Sequence, residues 1–424
     1  MKIQAINGFK DILPDNAGLW RRVEQLARNI FDRFGLREIR MPILEKTELF
    51  TRSIGAATDV VEKEMYTFAD KGITMRPEAT ASIMRAFIEH GLHVRQPVQR
   101  LYTIGPMFRH ERPQKGRLRQ FHQLNAEVIG AAEPHVDAEL IAMGRMLLDE
   151  LDLQASLELN SLGCPACRPP FKTDLIHYLE QRLEGLCSDC QRRTHTNPMR
   201  VLDCKKTSCR QLVLEAPSML TALCADCDEH FQAVQGALRN LDITFRLNPF
   251  MVRGLDYYTR TTFEFLTTDL GAQAAVGAGG RYDGLIEQLG GPSLGGIGFA
   301  MGLERLVLLL EQRDHSEHLG ADTTDFALVS LGTTIDAVSL LAHHLRRQGC
   351  RAAIDYSGRS LKAQLKQADR ARARFALIIG DDEWTRGEAV LRNMRTQQQQ
   401  PFPLSGSPEQ QSQRLAELLR SQPD

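Results

Sequence analysis

The sequence predicts an α+β fold, in which an antiparallel sheet with flanking helices is followed by a smaller α/β domain. Two patterns lead to this prediction. LYTIGPMFRHER and QFHQLNAEVIG are strand-like segments joined by a turn rich in arginine, proline and glycine, which is typical of a hairpin. After Glu311, the strand-like segments FALVSLG, RAAIDY and FALIIG alternate with helical ones, which indicates a mostly parallel sheet.

Length and composition set the broad class. A chain of 424 residues is expected to form two or three domains. Apolar residues make up 42% and charged residues 25%, as in a globular enzyme. We find no apolar run of the roughly 18 to 20 residues that span a bilayer and no apolar stretch of a signal peptide at the N-terminus. The sequence therefore predicts a cytoplasmic protein with no membrane partner.

The first elements can be predicted in chain order. Apolar residues recur at helical spacing from Leu19 to Ile30, and Asp15 precedes them as a candidate N-cap. The segment LREIRMPILE follows, with Pro42 after a short strand-like stretch. Because proline cannot donate to a strand ladder, Pro42 is expected at a sheet edge or an interface.

Further along, the strand QFHQLNAEVIG alternates with period two. This alternation puts Gln123, Asn125 and Glu127 on one face and apolar residues on the other. The polar face could simply meet solvent. The strand directly continues the arginine-rich turn, however, so the hairpin has a basic tip and a polar face that could hold a ligand.

Three other segments carry candidate site residues. In MRPEATASIMRA, Glu78 and Thr80 precede a helical stretch and could simply cap it. In RGLDYYTRT, Arg253 lies near two adjacent phenols, and GAQAAVGAGGRYDGL follows at residues 271 to 285. A cation, phenols and a glycine-rich loop suit a small polar substrate that carries a carboxylate.

These segments resemble those of histidyl-tRNA synthetases, which are class II aminoacyl-tRNA synthetases. LREIRMPILE is similar to the first motif of that class, FRHER to the second, and GGIGFAMGLER at residues 295 to 305 to the third. The resemblance covers essentially the whole chain and is closest over residues 76–130 and 253–305. It implies a class II antiparallel core split by a mainly helical insertion, then an anticodon-binding domain. The implied parts are catalytic core 1–160, insertion 161–245, catalytic core 246–318 and anticodon-binding domain 324–424.

The resemblance also implies an activity. A histidyl-tRNA synthetase forms histidyl-adenylate and pyrophosphate from histidine and ATP, and then transfers histidine to the 3′-terminal ribose of tRNA-His. ATP and Mg²⁺ would be the cofactors, with no metal in the catalytic core beyond the Mg²⁺ bound to ATP, and the chain would form a homodimer. Fixed arginines suit this chemistry, because negative charge builds on the α-phosphate oxygens in the transition state.

Residue roles carry over from the family position by position. The resemblance implies catalytic roles for Arg109 and Arg253; ATP contacts for Arg109, Glu111, Arg117 and Arg305; histidine contacts for Glu78, Thr80, Gln123, Glu127, Arg253, Tyr257, Tyr258 and Tyr282; and tRNA contacts for Arg112, Gln114 and Lys115. Core packing remains an alternative for Tyr257.

Two other functional classes are compatible with this fold. One is a catalytically inactive paralogue that binds histidine and regulates the first enzyme of histidine biosynthesis. Such subunits usually lack the C-terminal domain and the arginine of the RGLDYY segment, and both are present here. The other is a synthetase-like tRNA sensor, which would have no reason to keep Arg109, Arg253 and Arg305 together.

Cysteines are concentrated in the insertion. Eight of the nine lie between residues 164 and 227, namely Cys164, Cys167, Cys187, Cys190, Cys204, Cys209, Cys224 and Cys227. Three C-x-x-C pairs have the spacing of zinc ligands, and metal is favoured over disulfides in a cytoplasmic chain. Small, buried, reduced thiols in a helical insertion are the alternative.

A basic helical face is predicted near the C-terminus. Arg359, Lys362, Lys366 and Arg370 are spaced three, four and four residues apart, which aligns them on a helix. The face could be merely solvated, or it could contact the anticodon. The low-complexity tail after it, with Gln397 to Gln400 and two prolines, is expected to depart from a regular strand.

Overall fold

The structure is a computed structural model, and it describes residues 3–55, 58–270, 275–313 and 324–421. The chain divides into two compact units, residues 1–319 and 320–424. Within the described ranges, no helix combines the length and the apolar character needed to cross a membrane. The α+β prediction is confirmed, since both units mix helices with sheets.

Eleven strands are described in the first unit. In chain order they are β1 (Arg37–Glu38), β2 (Leu44–Lys46), β3 (Tyr66–Phe68), β4 (Ile73–Met75), β5 (Gln99–Phe108), β6 (Gln120–Ile129), β7 (Ser156–Ser161), β8 (Arg246–Leu247), β9 (Thr259–Leu266), β10 (Ala275–Arg281) and β11 (Gly296–Gly302). Eight of them form one sheet in the order β1-β5-β6-β11-β10-β9-β7-β8, and β2, β4 and β3 form a small second sheet. The pairings from β5 to β7 are all antiparallel.

Twelve α-helices are described in the same unit. They are α1 (Pro14–Arg33), α2 (Thr47–Ile54), α3 (Thr80–Glu89), α4 (Leu92–Arg95), α5 (Pro134–Glu150), α6 (Arg168–Glu180), α7 (Ser188–Thr196), α8 (Met199–Leu202), α9 (Thr207–Val213), α10 (Ala225–Asn240), α11 (Leu285–Gln288) and α12 (Leu303–Glu311). A π-helical turn lies at Val60–Glu64, and 3₁₀ turns lie at Leu183–Gly185 and Met219–Thr221.

The predicted first helix is present, but its predicted cap is wrong. Leu13 is the N-cap and Asp15 lies inside the first turn. The reason is Pro14, which takes the first helical position, where its missing N–H would have no partner anyway. Gly35 follows the helix with φ +72°, a left-handed conformation that favours glycine.

Pro42 lies between β1 and β2 rather than within a strand. β1 is only two residues long and joins the large sheet at its edge, parallel to β5. The strand before Pro42 is thus at the sheet edge, whereas Pro42 itself lies outside the strands, and its place at an interface stays a prediction.

One face of the large sheet is covered by helices. Leu124, Ala126 and Val128 of β6 share a buried cluster with Ile30 and Phe31 of α1, and α5, α10 and α12 contribute to the same cluster. Residues 123, 125 and 127 therefore lie on the opposite face. The helical cover thus leaves the polar face of the hairpin free to form a site.

The second unit has its own core and its own five-stranded sheet. Its elements are β12 (Phe326–Ser330), α13 (Ile335–Arg347), β13 (Ala352–Ile354), α14 (Leu361–Arg370), β14 (Phe375–Ile379), α15 (Asp381–Arg386), β15 (Glu388–Asn393), β16 (Gln399–Pro403) and α16 (Pro408–Ser421). The strand order is β13-β12-β14-β15-β16.

Two predictions for this unit need correction. The sheet is mixed rather than mostly parallel, because β15 and β16 pair antiparallel after the parallel trio. The glutamine-rich tail does form a regular strand, β16, at the edge of the sheet. An edge strand tolerates Pro401 and Pro403, since one side of it makes no ladder bonds.

The basic face is shorter than predicted. Lys362, Lys366 and Arg370 lie on α14, whereas Arg359 precedes that helix and pairs with Asp355.

Candidate active site

The floor of the site consists of two rows of paired residues across the large sheet. In the first row, Glu127 of β6 pairs with Gly298 of β11, and Gly298 pairs with Gly280 of β10. In the second row, Asn125 is followed by Ala300, Ala278 and Glu264. The two central strands thus contribute only glycine and alanine here, which leaves a shallow trough between polar walls.

Glycine is required at the centre of the first row. A Cβ atom at Gly298 would lie 1.6 Å from Oε2 of Glu127, and one at Gly280 would lie 2.6 Å from the backbone oxygen of Thr261. The glycine-rich sequence therefore makes room for the Glu127 carboxylate.

Glu127 is the centre of a buried hydrogen-bond network. Its side chain accepts a bond from the Thr80 hydroxyl at 2.7 Å and another from the Tyr282 hydroxyl at 2.7 Å. Burial raises the pKa of Glu127 to about 8, against the lowering effect of these two bonds. A carboxyl group poised near neutral pH in a dry pocket can exchange a proton or a hydrogen bond with a basic ring.

Glu78 holds the beginning of α3. Its two carboxylate oxygens accept bonds from the backbone N–H groups of Thr80 at 2.7 Å and Ala81 at 2.9 Å. Burial raises its pKa, and the two backbone bonds partly offset that effect. The Tyr257 hydroxyl donates to the same carboxylate at 3.3 Å. Glu78 therefore bonds the first backbone N–H groups of the helix and also presents its carboxyl group to the pocket.

Three tyrosines form the wall beside Glu127. The rings of Tyr257 and Tyr258 lie 4.7 Å apart, and those of Tyr257 and Tyr282 lie 6.1 Å apart at nearly a right angle. All three rings are buried and all three residues line the cavity. Tyr257 thus packs against the other two rings and also lines the cavity. Its packing therefore does not exclude a binding role.

Arg253 is fixed at the far end of the second row. It forms an ion pair with Glu264, and its guanidinium lies 5.4 Å from the centre of the Tyr258 ring. The short bond to Glu264 sets the direction of the guanidinium, and the residue lines the cavity.

Three other arginines lie together at the hairpin end of the cavity. Arg109 donates to the Pro77 backbone oxygen at 2.8 Å, Arg117 pairs with Glu111, and Arg305 donates to the Gly116 backbone oxygen at 3.2 Å. Burial lowers the pKa of Arg305, and repulsion from Arg117 and Arg109 lowers it further. Cations that are held close enough to repel one another form a binding site for a polyanion.

The predicted tRNA contacts lie outside the cavity. Arg112, Gln114 and Lys115 are exposed on the loop that joins β5 to β6. Gln114 and Arg117 exchange backbone bonds of 2.9 Å in each direction, which makes a tight turn. The turn directs Arg117 to the cavity wall and leaves the other three side chains facing outward.

These residues enclose one cavity of about 380 Å³, a size typical of small-molecule sites. Eleven of the twelve residues predicted to bind ATP or histidine line it: Glu78, Thr80, Arg109, Glu111, Arg117, Gln123, Arg253, Tyr257, Tyr258, Tyr282 and Arg305. The twelfth, Glu127, is bonded to two of them. Residues 271–274, which begin the predicted glycine-rich loop, lie outside the described residues.

Some polar atoms of the lining lack a partner within the described part of the chain. They are Oε1 of Gln123, Nδ2 of Asn125 and Nε of Arg253. A buried polar atom without a hydrogen bond costs roughly 1 to 3 kcal/mol. Three such atoms in the lining mark polar groups whose hydrogen bonds the described protein atoms do not satisfy.

Comparison with known families agrees with this geometry. The family model described as histidyl-tRNA synthetase matches residues 8–164 and 196–306, and an anticodon-binding domain model matches residues 325–410. The chain belongs to the histidyl-tRNA synthetase family. The recognition made from the motifs is therefore confirmed.

Individual relatives of the synthetase family match over nearly the whole chain. A histidine–tRNA ligase from Desulfotalea psychrophila is 58% identical over 401 residues, which cover 94% of this chain and 93% of the relative. One from Geobacter sulfurreducens is 52% identical over 418 residues, which cover 97% and 100%. The crystal structure of apo histidyl-tRNA synthetase from S. aureus has a TM-score of 0.79 and 37% identity, and it covers 97% of this chain and 100% of that one.

Sequence reasoning missed several residues of the synthetase pocket. The period-two pattern had placed Asn125 on the polar face of the hairpin, but no binding role was assigned to it. Glu264, the partner of Arg253, lies within a strand and has no local signal. Asp203 and Lys205 of the insertion also line the cavity. They could not be predicted because they lie far from the motifs in sequence.

Proposed function

We propose that this protein joins histidine to tRNA-His in two steps. It first forms histidyl-adenylate and pyrophosphate from histidine and ATP, and it then transfers histidine to the 3′-terminal ribose of the tRNA. The observation that carries this proposal is a single cavity with a carboxylate and phenol network at one end and three clustered arginines at the other.

The arginine end suits the phosphates of ATP. Arg109, Arg117 and Arg305 repel one another, so a polyanion between them would relieve an unfavourable arrangement of charge. Guanidinium groups can also bond phosphate oxygens in pairs. ATP would enter as its Mg²⁺ complex, and Glu111, bonded to Arg117, is the residue that we assign to the adenine side.

The Glu127 end suits an imidazole ring. A histidine side chain has two ring nitrogens, and both need a hydrogen-bond partner when they are buried. Glu127 and Tyr258 would supply these partners, while Glu78 and Thr80 would face the positive α-amino group. An amino acid without ring nitrogens would offer Glu127 and Tyr258 no partner in place of the imidazole, which is the basis of strong rejection of other amino acids.

The substrate carboxylate would lie between the two ends. Residues 123 and 127 are four positions apart on β6, about 13 Å at the usual rise per residue. Arg253 and Asn125 lie in the intermediate row, with Nε and Nδ2 lacking partners among the described residues. Arg253 would hold the histidine carboxylate while it attacks the α-phosphorus, with Gln123 beside the substrate backbone. Arg253 and Arg109 would stabilise the charge that develops on the α-phosphate.

The tRNA would contact both units. The exposed tip residues Arg112, Gln114 and Lys115 are next to the cavity wall, which favours contact with the acceptor end. The match of residues 325–410 to an anticodon-binding domain supports a second contact through that unit. We retain the division into core 1–160, insertion 161–245, core 246–318 and anticodon-binding domain 324–424 as part of this proposal.

A homodimer and a cytoplasmic location are also proposed. The edge position of β1 leaves one side of that strand available for a second copy. A monomeric mass in solution at micromolar protein concentration would contradict the dimer.

The inactive regulatory paralogue remains the main alternative function. It would need the Glu127 end of the cavity and would not need the arginine end. The retention of Arg109, Arg117, Arg253 and Arg305 around one cavity favours the ligase.

The test is the charging of tRNA. Purified protein, ATP, Mg²⁺ and tRNA-His are incubated with each of the twenty labelled amino acids in turn, and a non-cognate tRNA serves as the control. We expect label on tRNA-His with histidine alone. Charging with another amino acid, or no charging under conditions in which a known histidine–tRNA ligase is active, would contradict the proposal.

A further inference from the structure

The eight cysteines of the insertion gather into two separate groups. One group consists of Cys164, Cys167, Cys224 and Cys227, and the other of Cys187, Cys190, Cys204 and Cys209. Within each group all four sulfur atoms lie within 4.8 Å of one another. The first group joins two C-x-x-C pairs that are nearly sixty residues apart in sequence, an arrangement that spacing alone could not predict.

The distances fit a single tetrahedral ion. A Zn²⁺ ion with Zn–S bonds of about 2.3 Å holds its sulfur atoms about 3.8 Å apart. In the first group Sγ of Cys164 lies 3.6 Å from that of Cys167 and 3.9 Å from that of Cys224. A disulfide needs a separation of about 2.05 Å. A cluster with several irons would spread its four ligands around a larger centre, so the compact groups favour one ion each.

The backbone around both groups also suits thiolates. The N–H of Cys224 donates to Sγ of Cys167 at 3.2 Å, and the N–H of Cys187 donates to Sγ of Cys209 at 3.2 Å. In metal sites, hydrogen bonds to the ligand groups hold them in the orientation that binds the ion. Cys224 and Cys187 are also the N-caps of α10 and α7, where the helix dipole favours negative charge.

We propose that the insertion binds two Zn²⁺ ions, one in each cysteine group, with four thiolate ligands apiece. Four protein ligands leave no open position, so each ion is structural rather than catalytic. Neither group is among the residues that we assign to histidine, ATP or tRNA, so this proposal is independent of the proposed function. Part of both groups lies in residues 165–195, between the two segments that the synthetase family model matches.

The first ion would close the base of the insertion. Cys164 and Cys167 follow β7 directly, and Cys224 and Cys227 begin the helix that leads back to the core. Arg168, next to Cys167, donates to the backbone oxygens of Leu162 and Tyr258. The ion would thereby hold together the two chain segments that join the insertion to the core. Arg168 would connect them to Tyr258 of the active site.

The second ion would fix the part of the insertion that reaches the cavity. It would link the beginning of α7 to α9 and to the segment that precedes α9. Cys204 in that segment lies between Asp203 and Lys205, which both line the cavity. Loss of this ion would therefore remove a constraint on the positions of Asp203 and Lys205 in the cavity lining.

Metal content of the full-length protein tests the proposal. The protein is purified without a metal-affinity step and analysed by plasma mass spectrometry, and we expect two zinc per chain. A mercurial reagent should release two zinc per chain, measured with a metallochromic dye. Protein loaded with Co²⁺ instead should show the absorption of tetrahedral cobalt thiolate.

Paired variants assign each ion. Cys224→Ser with Cys227→Ser should keep one zinc, as should Cys187→Ser with Cys190→Ser, whereas Cys350→Ser, which changes the buried cysteine of the second unit, should keep two. Disulfides found by mass spectrometry, iron in place of zinc, or no zinc bound by folded wild-type protein after incubation with Zn²⁺ would overturn the proposal. If a paired variant does not fold, the mercurial release from wild-type protein still decides the stoichiometry.

Discussion

At the scale of single residues, Arg253 has the most specific proposed role, because it would hold the histidine carboxylate and stabilise charge on the α-phosphate. Its guanidinium is held by Glu264 and its Nε lacks a partner among the described residues. It lines the cavity at the end of the second row, where the substrate carboxylate is proposed to lie. Glu264 has the opposite role, because it orients the arginine and keeps an isolated buried cation from being left unpaired.

We predict that Arg253→Ala abolishes measurable adenylate formation while histidine binding remains detectable. Removal of a fixed electrostatic group costs about 100-fold to 1000-fold or more in rate, whereas the imidazole contacts at Glu127 remain. Pyrophosphate exchange and equilibrium dialysis with labelled histidine measure the two effects separately. Near-normal exchange in the variant would overturn the role given to this arginine.

A second residue-scale prediction concerns Glu127 and pH. The pKa is raised from 4.5 to about 8 in the folded protein, so the folded state binds more protons than the unfolded state between these values. The contribution to stability is complete below about pH 4.5 and is lost as the pH rises through about 8. Relative to Glu127→Gln, the wild type should lose about 1.4 kcal/mol of unfolding free energy per pH unit in that window.

Denaturant unfolding of both proteins at pH 6, 7, 8, 9 and 10, without histidine, measures the Glu127 effect. The difference in unfolding free energy between wild type and Glu127→Gln should change with pH inside the window and become constant above it. Parallel pH profiles for wild type and Glu127→Gln would show that Glu127 does not titrate in this range.

At the scale of secondary-structure elements, β10 and β11 explain why the site needs so many glycines. Motif reasoning marked residues 295–305 as a glycine-rich strand that runs into a helix, and the structure has β11 followed by α12. For Gly298 the physical reason lies across the sheet, where the Glu127 side chain of β6 occupies the space that a Cβ atom would fill. Only the three-dimensional pairing of Glu127 with Gly298 reveals that reason.

The element-scale prediction compares two glycines of β11. Gly298→Ala puts a methyl group onto the Glu127 carboxylate, 1.6 Å from Oε2, so the carboxylate must shift and its bonds to Thr80 and Tyr282 are disturbed. We expect the KM for histidine to rise by at least about tenfold, as expected when a buried hydrogen-bond network is disturbed.

The matched control is Gly302→Ala on the same strand. Its new methyl group would meet the Arg305 side chain at 3.6 Å, an ordinary contact. This variant should keep a KM for histidine close to that of the wild type. Equal effects of the two substitutions would contradict the special role of Gly298.

The sequence predicted the hairpin, the glycine-rich strand and eleven residues of the cavity lining. These features lie in short continuous segments, which can be recognised without knowledge of the three-dimensional structure. It could not predict the Glu264 partner of Arg253 or the contribution of Asp203, because these depend on strand pairing and on the path of the insertion. Asp15 was predicted as the N-cap because aspartate favours that position. Pro14, which begins the helix, was not considered. The antiparallel β16 was missed because glutamine and proline are poor strand formers away from an edge.

At the scale of the whole molecule, amino-acid activation is expected to depend on the first unit alone, whereas recognition of tRNA is expected to depend on both units. All residues that line the active-site cavity belong to the first unit. The second unit has a separate core and presents Lys362, Lys366 and Arg370 along α14. Amino-acid activation should therefore be independent of this basic face, whereas recognition of tRNA should depend on it.

We predict that changing these three basic residues to alanine raises the KM for tRNA-His on the order of tenfold, because each lost phosphate contact weakens binding. The increase of KM with salt should also be less steep than in the wild type. Charging kinetics at two salt concentrations measure both effects. Pyrophosphate exchange without tRNA is the control and should not change; an unchanged KM would mean that the face is merely solvated.

The central claim is that one cavity both selects histidine and activates it. Amino-acid-dependent exchange of pyrophosphate into ATP, run without tRNA and separately with each of the twenty amino acids, tests it most directly. We expect exchange with histidine alone. Absence of exchange in a protein that still binds histidine would contradict the claim and would identify the chain as a regulatory paralogue.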